Sequence, residues 1–222
     1  MKRRRFGKRV LDWLFPPRCP FCRAVIPADT DVCEPCAKAL PRMVYRRFAV
    51  GGVPCCAALP YADAYAAAVK RFKYGKKRGY AHALGRLISQ AILQSYELQT
   101  IDCITCVPEY RQERGRFRHA ELLARTCAEL TGLPYAEVLE KHRKNVPQHT
   151  LRSGLRAGNV RGVYRVKDKA LVQNKRILVI DDIITTGNTL GECARMLRQS
   201  GCREVFCATL CTTEISYNTI FN

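Results

Sequence analysis

Apolar positions along this chain change their spacing several times, and each change marks an element. Ala81, Leu84, Leu87, Ile88, Ala91 and Ile92 recur at helical intervals and predict a helix with one apolar face. Ile101 to Val107 is an apolar run closed by Pro108, which predicts a strand. Leu123, Cys127 and Leu130 share one face of a helix predicted over Ala120 to Leu130, and Gly132-Leu133-Pro134 stops it. Ile177 to Ile180 is short and wholly apolar, the signature of a buried strand in a parallel sheet. A further helix is predicted from Thr189 to Gln199, ending at Gly201, and a last strand from Val205 to Leu210. Residues 141–162 are polar, basic and without period, so a long functional loop is expected there. Strands alternating with helices predict an α/β fold built on a parallel sheet.

Chemistry enters where the apolar run Ile177 to Ile180 ends in two carboxylates, Asp181 and Asp182. A parallel strand delivers its C-terminal end to the ligand crevice of an open α/β sheet. Adjacent unpaired acids at such a position are costly unless a ligand uses them. Ile183 and Ile184 follow, and then Thr185, Thr186, Gly187, Asn188 and Thr189 lead into the next predicted helix. Backbone N–H groups, hydroxyls and a glycine at a helix N-terminus form an anion cradle. The segment suits a sugar with free hydroxyls and a phosphate at one end. It resembles the phosphoribosyl pyrophosphate motif of type I phosphoribosyltransferases.

Composition adds a second theme. The chain has 222 residues, 47% hydrophobic, with a formal net charge of +19. That size suits one α/β domain with a small appendage. The charge favours a polyanionic partner, with nucleic acid ahead of an anionic membrane surface or a merely solvated basic face. Residues 1–60 hold twelve Lys or Arg against four acids, and another basic group runs from Arg111 to Arg118. The basic arm with Arg3, Arg4 and Arg5, and the run Lys70, Arg71, Phe72, Lys73, Tyr74, Gly75, Lys76 and Lys77, are the candidate single-stranded DNA contacts. The run interleaves cations with aromatics as a stacking surface would, or is a solvated loop. Val10 to Phe15 is short and contains Asp12, so it makes neither a membrane span nor a signal-peptide core, and a cytoplasmic protein is expected.

Thirteen cysteines in such a chain argue against disulfides. Cys19-Pro20-Phe21-Cys22 and Cys33-Glu34-Pro35-Cys36 are two knuckles whose spacing matches tetrahedral thiolate ligation of structural zinc. A redox pair and an iron–sulfur cluster are the alternatives. Cys55-Cys56 is a remnant of a second knuckle, another ligand source, or neither. Cys103 and Cys106 share the knuckle spacing but lie on a predicted strand, where residues three apart face opposite ways. Cys127, Cys193, Cys202, Cys207 and Cys211 fall in apolar patterns and are expected in the core. The division expected is a basic arm and zinc module over 1–56 and an α/β domain over 57–222.

The order of parts resembles the ComF family of competence-associated, phosphoribosyltransferase-like proteins. The resemblance is carried by the four-cysteine module, Phe72-Lys73-Tyr74-Gly75, Val107-Pro108 with its basic run, Ala120-Glu121-Leu122-Leu123-Ala124, Asn159-Val160-Arg161-Gly162-Val163-Tyr164, and the Asp181-to-Thr189 segment. It covers Cys19 to Cys211. The resemblance implies a type I phosphoribosyltransferase core, with Asp181 and Asp182 on the ribose hydroxyls and Thr185 to Thr189 on the 5′-phosphate. Val107, Pro108 and Glu109 would form the pyrophosphate loop, with Arg111 and Arg114 nearby, and magnesium would bridge the ligand's oxygens. It also implies a link to uptake of single-stranded DNA and its machinery. There are departures. Arg114-Gly115-Arg116-Phe117-Arg118-His119 stands where the family usually has Arg-Gly-aromatic-Asn-Gln, Cys106-Val107-Pro108 replaces Pro-Val-Pro, and the second cysteine module is reduced to Cys55-Cys56.

Three functions fit these residues: an accessory protein of DNA uptake that binds single-stranded DNA through the basic arm, the zinc module and the Lys70 to Lys77 group, with phosphoribosyl pyrophosphate as ligand or substrate; a phosphoribosyltransferase of nucleobase salvage; and a ligand-sensing, nucleic-acid-binding regulator without turnover. No base-recognising hood is evident in the sequence. His119 opens a helix and reads as a cap or surface residue, His82 as structural, and His142 and His149 as members of the basic loop. None has an evident partner, so no general base is assigned.

Overall fold

A computed structural model describes residues 16–75, 79–109, 118–142 and 161–213. Its main sheet has five strands in the order β1-β2-β7-β6-β3. These are β1 (Tyr45–Ala49), β2 (Val53–Pro60), β3 (Cys103–Cys106), β6 (Arg176–Ile184) and β7 (Glu204–Thr212). The β2-β7, β7-β6 and β6-β3 pairs are parallel, as expected of apolar runs separated by helices, and only the β1-β2 hairpin is antiparallel. A separate antiparallel pair joins β4 (Leu139–Lys141) to β5 (Tyr164–Val166). The long loop expected between them lies mostly outside the described residues.

Side chains alternate along β6 and divide the core in two. Leu178 and Ile180 face one cluster, together with Leu84, Ile88 and Ile92 of α3 (Tyr80–Ser95) and Leu123 and Cys127 of α4 (His119–Thr131). Ile177 and Val179 face the other, with Leu190, Cys193, Ala194 and Leu197 of α5 (Asn188–Gln199) and Leu139 and Tyr164 of the small sheet. Each fully buried aliphatic side chain of this kind contributes about 1.5–3 kcal/mol of transfer free energy. The helices sit close to their predicted bounds, and Gly132 ends α4 in the left-handed conformation expected of a glycine there.

Three features depart from the expected reading. The β6 ladder continues past the acids, pairing Asp181 with Thr209 and Ile184 with Thr212, because the flanking isoleucines still fit the sheet. The run Arg71 to Tyr74 is the last turn of α2 (Asp63–Tyr74), not a loop. The main sheet begins at Tyr45, and β2 runs through position 56, so a division there falls inside a strand. Cys55 and Cys56 therefore point to opposite sides of the sheet into the two cores, as do Cys103 and Cys106. Cys55, Cys56, Cys103, Cys106, Cys127, Cys193, Cys202, Cys207 and Cys211 are all buried free thiols.

Candidate functional site

The alternation that splits the core also separates the two acids. Asp182 follows the parity of Leu178 and Ile180 and turns toward α2 and α4, while Asp181 follows Ile177 and Val179 toward α5. Asp182 is 4% exposed. Its Oδ2 lies 2.7 Å from Lys73 Nζ and 3.2 Å from His119 Nε2. His119 Nδ1 lies 3.1 Å from Glu109 Oε1, which also accepts the His119 backbone N–H. His119 opens α4 as expected and, beyond a capping or surface role, bridges the loop after β3 to β6.

Asp181 is half-buried and its Oδ1 accepts the Asp182 backbone N–H at 2.8 Å. Burial, and then the neighbouring Asp182 carboxylate, pushes Asp181 up to about 8, with Lys73 partly opposing the shift. Burial works to lower Lys73, but the Asp182 and Asp181 carboxylates outweigh it and raise Lys73 above the ordinary lysine value.

The turn Thr185-Thr186-Gly187 leads into α5, whose first residues are Asn188 and Thr189. Residues 183–190 and Asp181 line one concavity. Gly187 has φ +73° and a Cβ there would lie 2.8 Å from Ala49 Cα, so the turn needs glycine both for conformation and for space. Arg47 of β1 braces the turn, donating to Thr185 O at 2.9 Å and Thr212 Oγ1 at 3.1 Å. Asn188 Nδ2 donates to Thr186 Oγ1 at 3.0 Å. Glu192 accepts the Gly162 N–H at 2.6 Å, which ties the segment before β5 to α5.

Val107, Pro108 and Glu109 follow β3, with the Val107 N–H bonded to Ile180 O at 2.9 Å. These residues, with Cys106, Arg118, Glu121, Glu137 and β4, line a cleft open to solvent. One Glu109 carboxylate oxygen is buried and has no hydrogen-bond partner among the described residues. Arg111 lies outside the described residues.

The four sulfurs of Cys19, Cys22, Cys33 and Cys36 lie within 4.8 Å of one another. Tetrahedral zinc–thiolate bonds of about 2.3 Å require sulfurs roughly 3.8 Å apart, so the cluster fits zinc. The first knuckle is closed by the Cys19 N–H to Ala24 O at 2.8 Å and the Arg23 N–H to Cys19 O at 3.0 Å. Cys33 caps the short helix α1 (Glu34–Ala39), whose first turn holds Cys36. The module docks on α2 and α3. Phe21 packs edge-on against Tyr65 at 5.4 Å, and Tyr65 Oη donates to Ala39 O at 3.0 Å. Asp31 pairs with His82 at 2.8 Å and Arg86 at 3.2 Å.

The expected nucleic-acid residues are dispersed. Arg71 Nη2 donates to Pro20 O at 2.6 Å and Phe21 O at 2.8 Å, and Lys73 pairs with Asp182, so both half-buried side chains have partners within the chain. Lys70 and Tyr74 stay exposed, Tyr74 at 81%. Arg3, Arg4, Arg5, Lys76 and Lys77 lie outside the described residues. The sequence reading passed over Arg47, Glu192 and the Lys73–Asp182–His119–Glu109 chain. Lys73 stood out in Phe72-Lys73-Tyr74-Gly75, but its tie to Asp182 depends on the packing of α2 against β6.

Residues 80–219 match the phosphoribosyl transferase domain, and residues 10–63 match the double zinc ribbon domain. Cys55 and Cys56, which also fall in that stretch, are core residues. DNA utilization protein YhgH of Salmonella typhimurium is 30% identical over 65% of this chain and 66% of its own length, just under two thirds of that relative. Competence protein F of Haemophilus influenzae is 25% identical over 85% of this chain and 82% of its own. Among solved structures, an allosteric regulatory enzyme of purine biosynthesis is 29% identical at a TM-score of 0.40, over 57% of this chain and 24% of that one. With its type I phosphoribosyltransferase fold and its four-cysteine ribbon, this chain belongs to the phosphoribosyl transferase domain family and, within it, to the ComF family.

Proposed function

We propose that the chain binds phosphoribosyl pyrophosphate with magnesium and acts as a ComF-type accessory protein of DNA uptake. The observation that carries this reading is the pair Asp181 and Asp182 on β6, immediately before the Gly187 turn at the N-terminus of a twelve-residue helix. The acids accept hydrogen bonds from vicinal hydroxyls, and the turn offers N–H groups and the helix dipole to a phosphate. The loop Val107 to Glu109 would take the pyrophosphate end. Magnesium would be held chiefly by the ligand's own phosphate and ribose oxygens, which suits its preference for hard oxygen ligands, and would neutralise the leaving pyrophosphate. The protein's part is to hold the ligand in place beside fixed charges. Single-stranded DNA would follow the basic surface, for which exposed Lys70, Tyr74, Arg46 and Phe48 are the described candidates.

Calorimetric titration of magnesium phosphoribosyl pyrophosphate tests the core of this. Wild type should bind and an Asp181→Asn, Asp182→Asn double variant should not; a zinc-loaded wild type that gives no heat sinks the reading. Anisotropy of labelled single-stranded DNA across a salt series tests the other half. Affinity should fall steeply with salt, and a flat response excludes an electrostatic interface.

The cleft beside the pyrophosphate loop favours a second reading, a transferase with a separate acceptor. On that reading its wall of Leu139, Glu140 and Lys141 would be the acceptor-side element. Release of pyrophosphate in the presence of a nucleobase would establish turnover.

A further inference from the structure

We propose that Lys73 is a positioning residue of the phosphoribosyl site and that the zinc ribbon holds it there through Arg71. The inference rests on the reading of Asp181 and Asp182 as ribose-site acids. Three consecutive residues in the last turn of α2 leave the helix about 100° apart and each makes a different tie. Arg71 reaches the ribbon, where one guanidinium nitrogen donates to the carbonyls of Pro20 and Phe21 at 2.6 and 2.8 Å. Those carbonyls lie inside the first knuckle, between Cys19 and Cys22. Phe72 is fully buried and meets the His119 ring edge-on at 6.4 Å. Lys73 reaches Asp182 at 2.7 Å, with its side chain only 22% exposed.

A lysine on a helix end ordinarily keeps its ammonium in water, and fixing its four-carbon stem costs rotamer entropy. Here the ammonium is held against the more buried of the two site acids. The ligand of the proposed function brings phosphate and pyrophosphate charge to a place already occupied by two carboxyl groups. Lys73 offsets the Asp182 charge and fixes its Oδ2, leaving Oδ1 to accept from a sugar hydroxyl. The knuckle carbonyls have a fixed position only when the loop is closed around its metal, because metal binding supplies the folding energy of such modules. Loss of that fixed position removes Arg71's anchor, and the same helical turn carries Lys73.

The full zinc-loaded chain decides the matter. Magnesium phosphoribosyl pyrophosphate is titrated into wild type, Lys73→Met, Lys73→Arg and Arg71→Met, each checked for zinc content and cooperative unfolding. Lys73→Met should weaken binding about tenfold, the size of one lost charge-assisted contact, and Lys73→Arg should recover most of it. Arg71→Met with full zinc should weaken binding several-fold. Wild-type affinity in Lys73→Met, or no recovery in Lys73→Arg, overturns the positioning role; wild-type affinity in Arg71→Met breaks the link to the ribbon. If wild type itself binds nothing, the site reading fails and takes the ligand half of the proposal with it. The structural link is then decided by the ¹⁵N signal of the Lys73 ammonium. Slow proton exchange in wild type that becomes fast in Arg71→Met supports the link, and unchanged exchange overturns it.

Discussion

Asp182 donates its backbone N–H to Asp181 Oδ1 at 2.8 Å, yet the two carboxyl groups leave β6 toward opposite layers of the molecule. Their surroundings differ accordingly. Asp182 meets Lys73 and His119, whereas burial and the Asp182 carboxylate push Asp181 from 3.8 up to about 8. A carboxyl whose folded pKa is raised contributes stability that is fully present below its unfolded pKa and is lost as pH rises through the folded one. Between about pH 4 and pH 8 the folded state holds a proton that the unfolded chain releases, so this group makes stability fall with rising pH. Asp181→Asn should therefore gain on wild type as pH increases from 5 to 8, measured by urea unfolding at both pH values. An equal difference at both would contradict the raised pKa.

The ribbon yields a compositional prediction. Cys19, Cys22, Cys33 and Cys36 form the only cluster of potential metal ligands among the described residues, so purified protein should carry one zinc per chain. Serine at any of the four should lower zinc content and loosen the ribbon. Cys55→Ala and Cys56→Ala should leave zinc untouched, because both sulfurs sit in the sheet's two cores. Metal analysis of the six variants checks this.

Gly191 lies on α5 where the β1-β2 turn crosses it. A Cβ there would stand 2.5 Å from Val50 O and 2.7 Å from Val50 Cβ. Gly191→Ala should destabilise the fold by about 1–3 kcal/mol as the hairpin is pushed away. Since Arg47 on that hairpin braces Thr185, affinity for the proposed phosphate ligand should fall as well. Urea unfolding with a parallel phosphate titration separates the two effects.

Leu178 is fully buried between β6's neighbours and the α3–α4 layer. Leu178→Ala should cost about 2–5 kcal/mol through lost burial and the cavity left behind. The denaturation midpoint should drop without a change in slope.

Much of this was legible from residue order. The apolar run Ile177 to Ile180, the Gly187 turn and the periodic α3 and α4 sequences carry local signals strong enough to place the sheet, its helices and the cradle. Four cysteines at knuckle spacing likewise announce their own convergence. The hairpin that adds β1 and β2 was not legible, since Tyr45–Ala49 has only two apolar residues pointing inward and its place in the sheet is set by β7, some 150 residues later. The Lys73–Asp182–His119–Glu109 chain was hidden for the same reason. Its members are ordinary surface residue types on four separate elements, and only tertiary packing brings them together.

The nine thiols in the cores have a practical consequence. Burial raises every one of them, to about 11 or 12 for Cys202, Cys56, Cys106, Cys127 and Cys211 and well above the ordinary thiol range for Cys55, Cys193 and Cys207, with Cys103 raised as well. Only the thiolate reacts with alkylating reagents, and these sulfurs are both neutral and out of reach while the fold is intact. Each opening of a layer exposes a known subset: Cys56, Cys106, Cys127 and Cys211 on the α3–α4 side, and the other five on the α5 side. The chain thus carries two sets of native labels, and mass-resolved alkylation would time the unfolding of each half of the molecule separately.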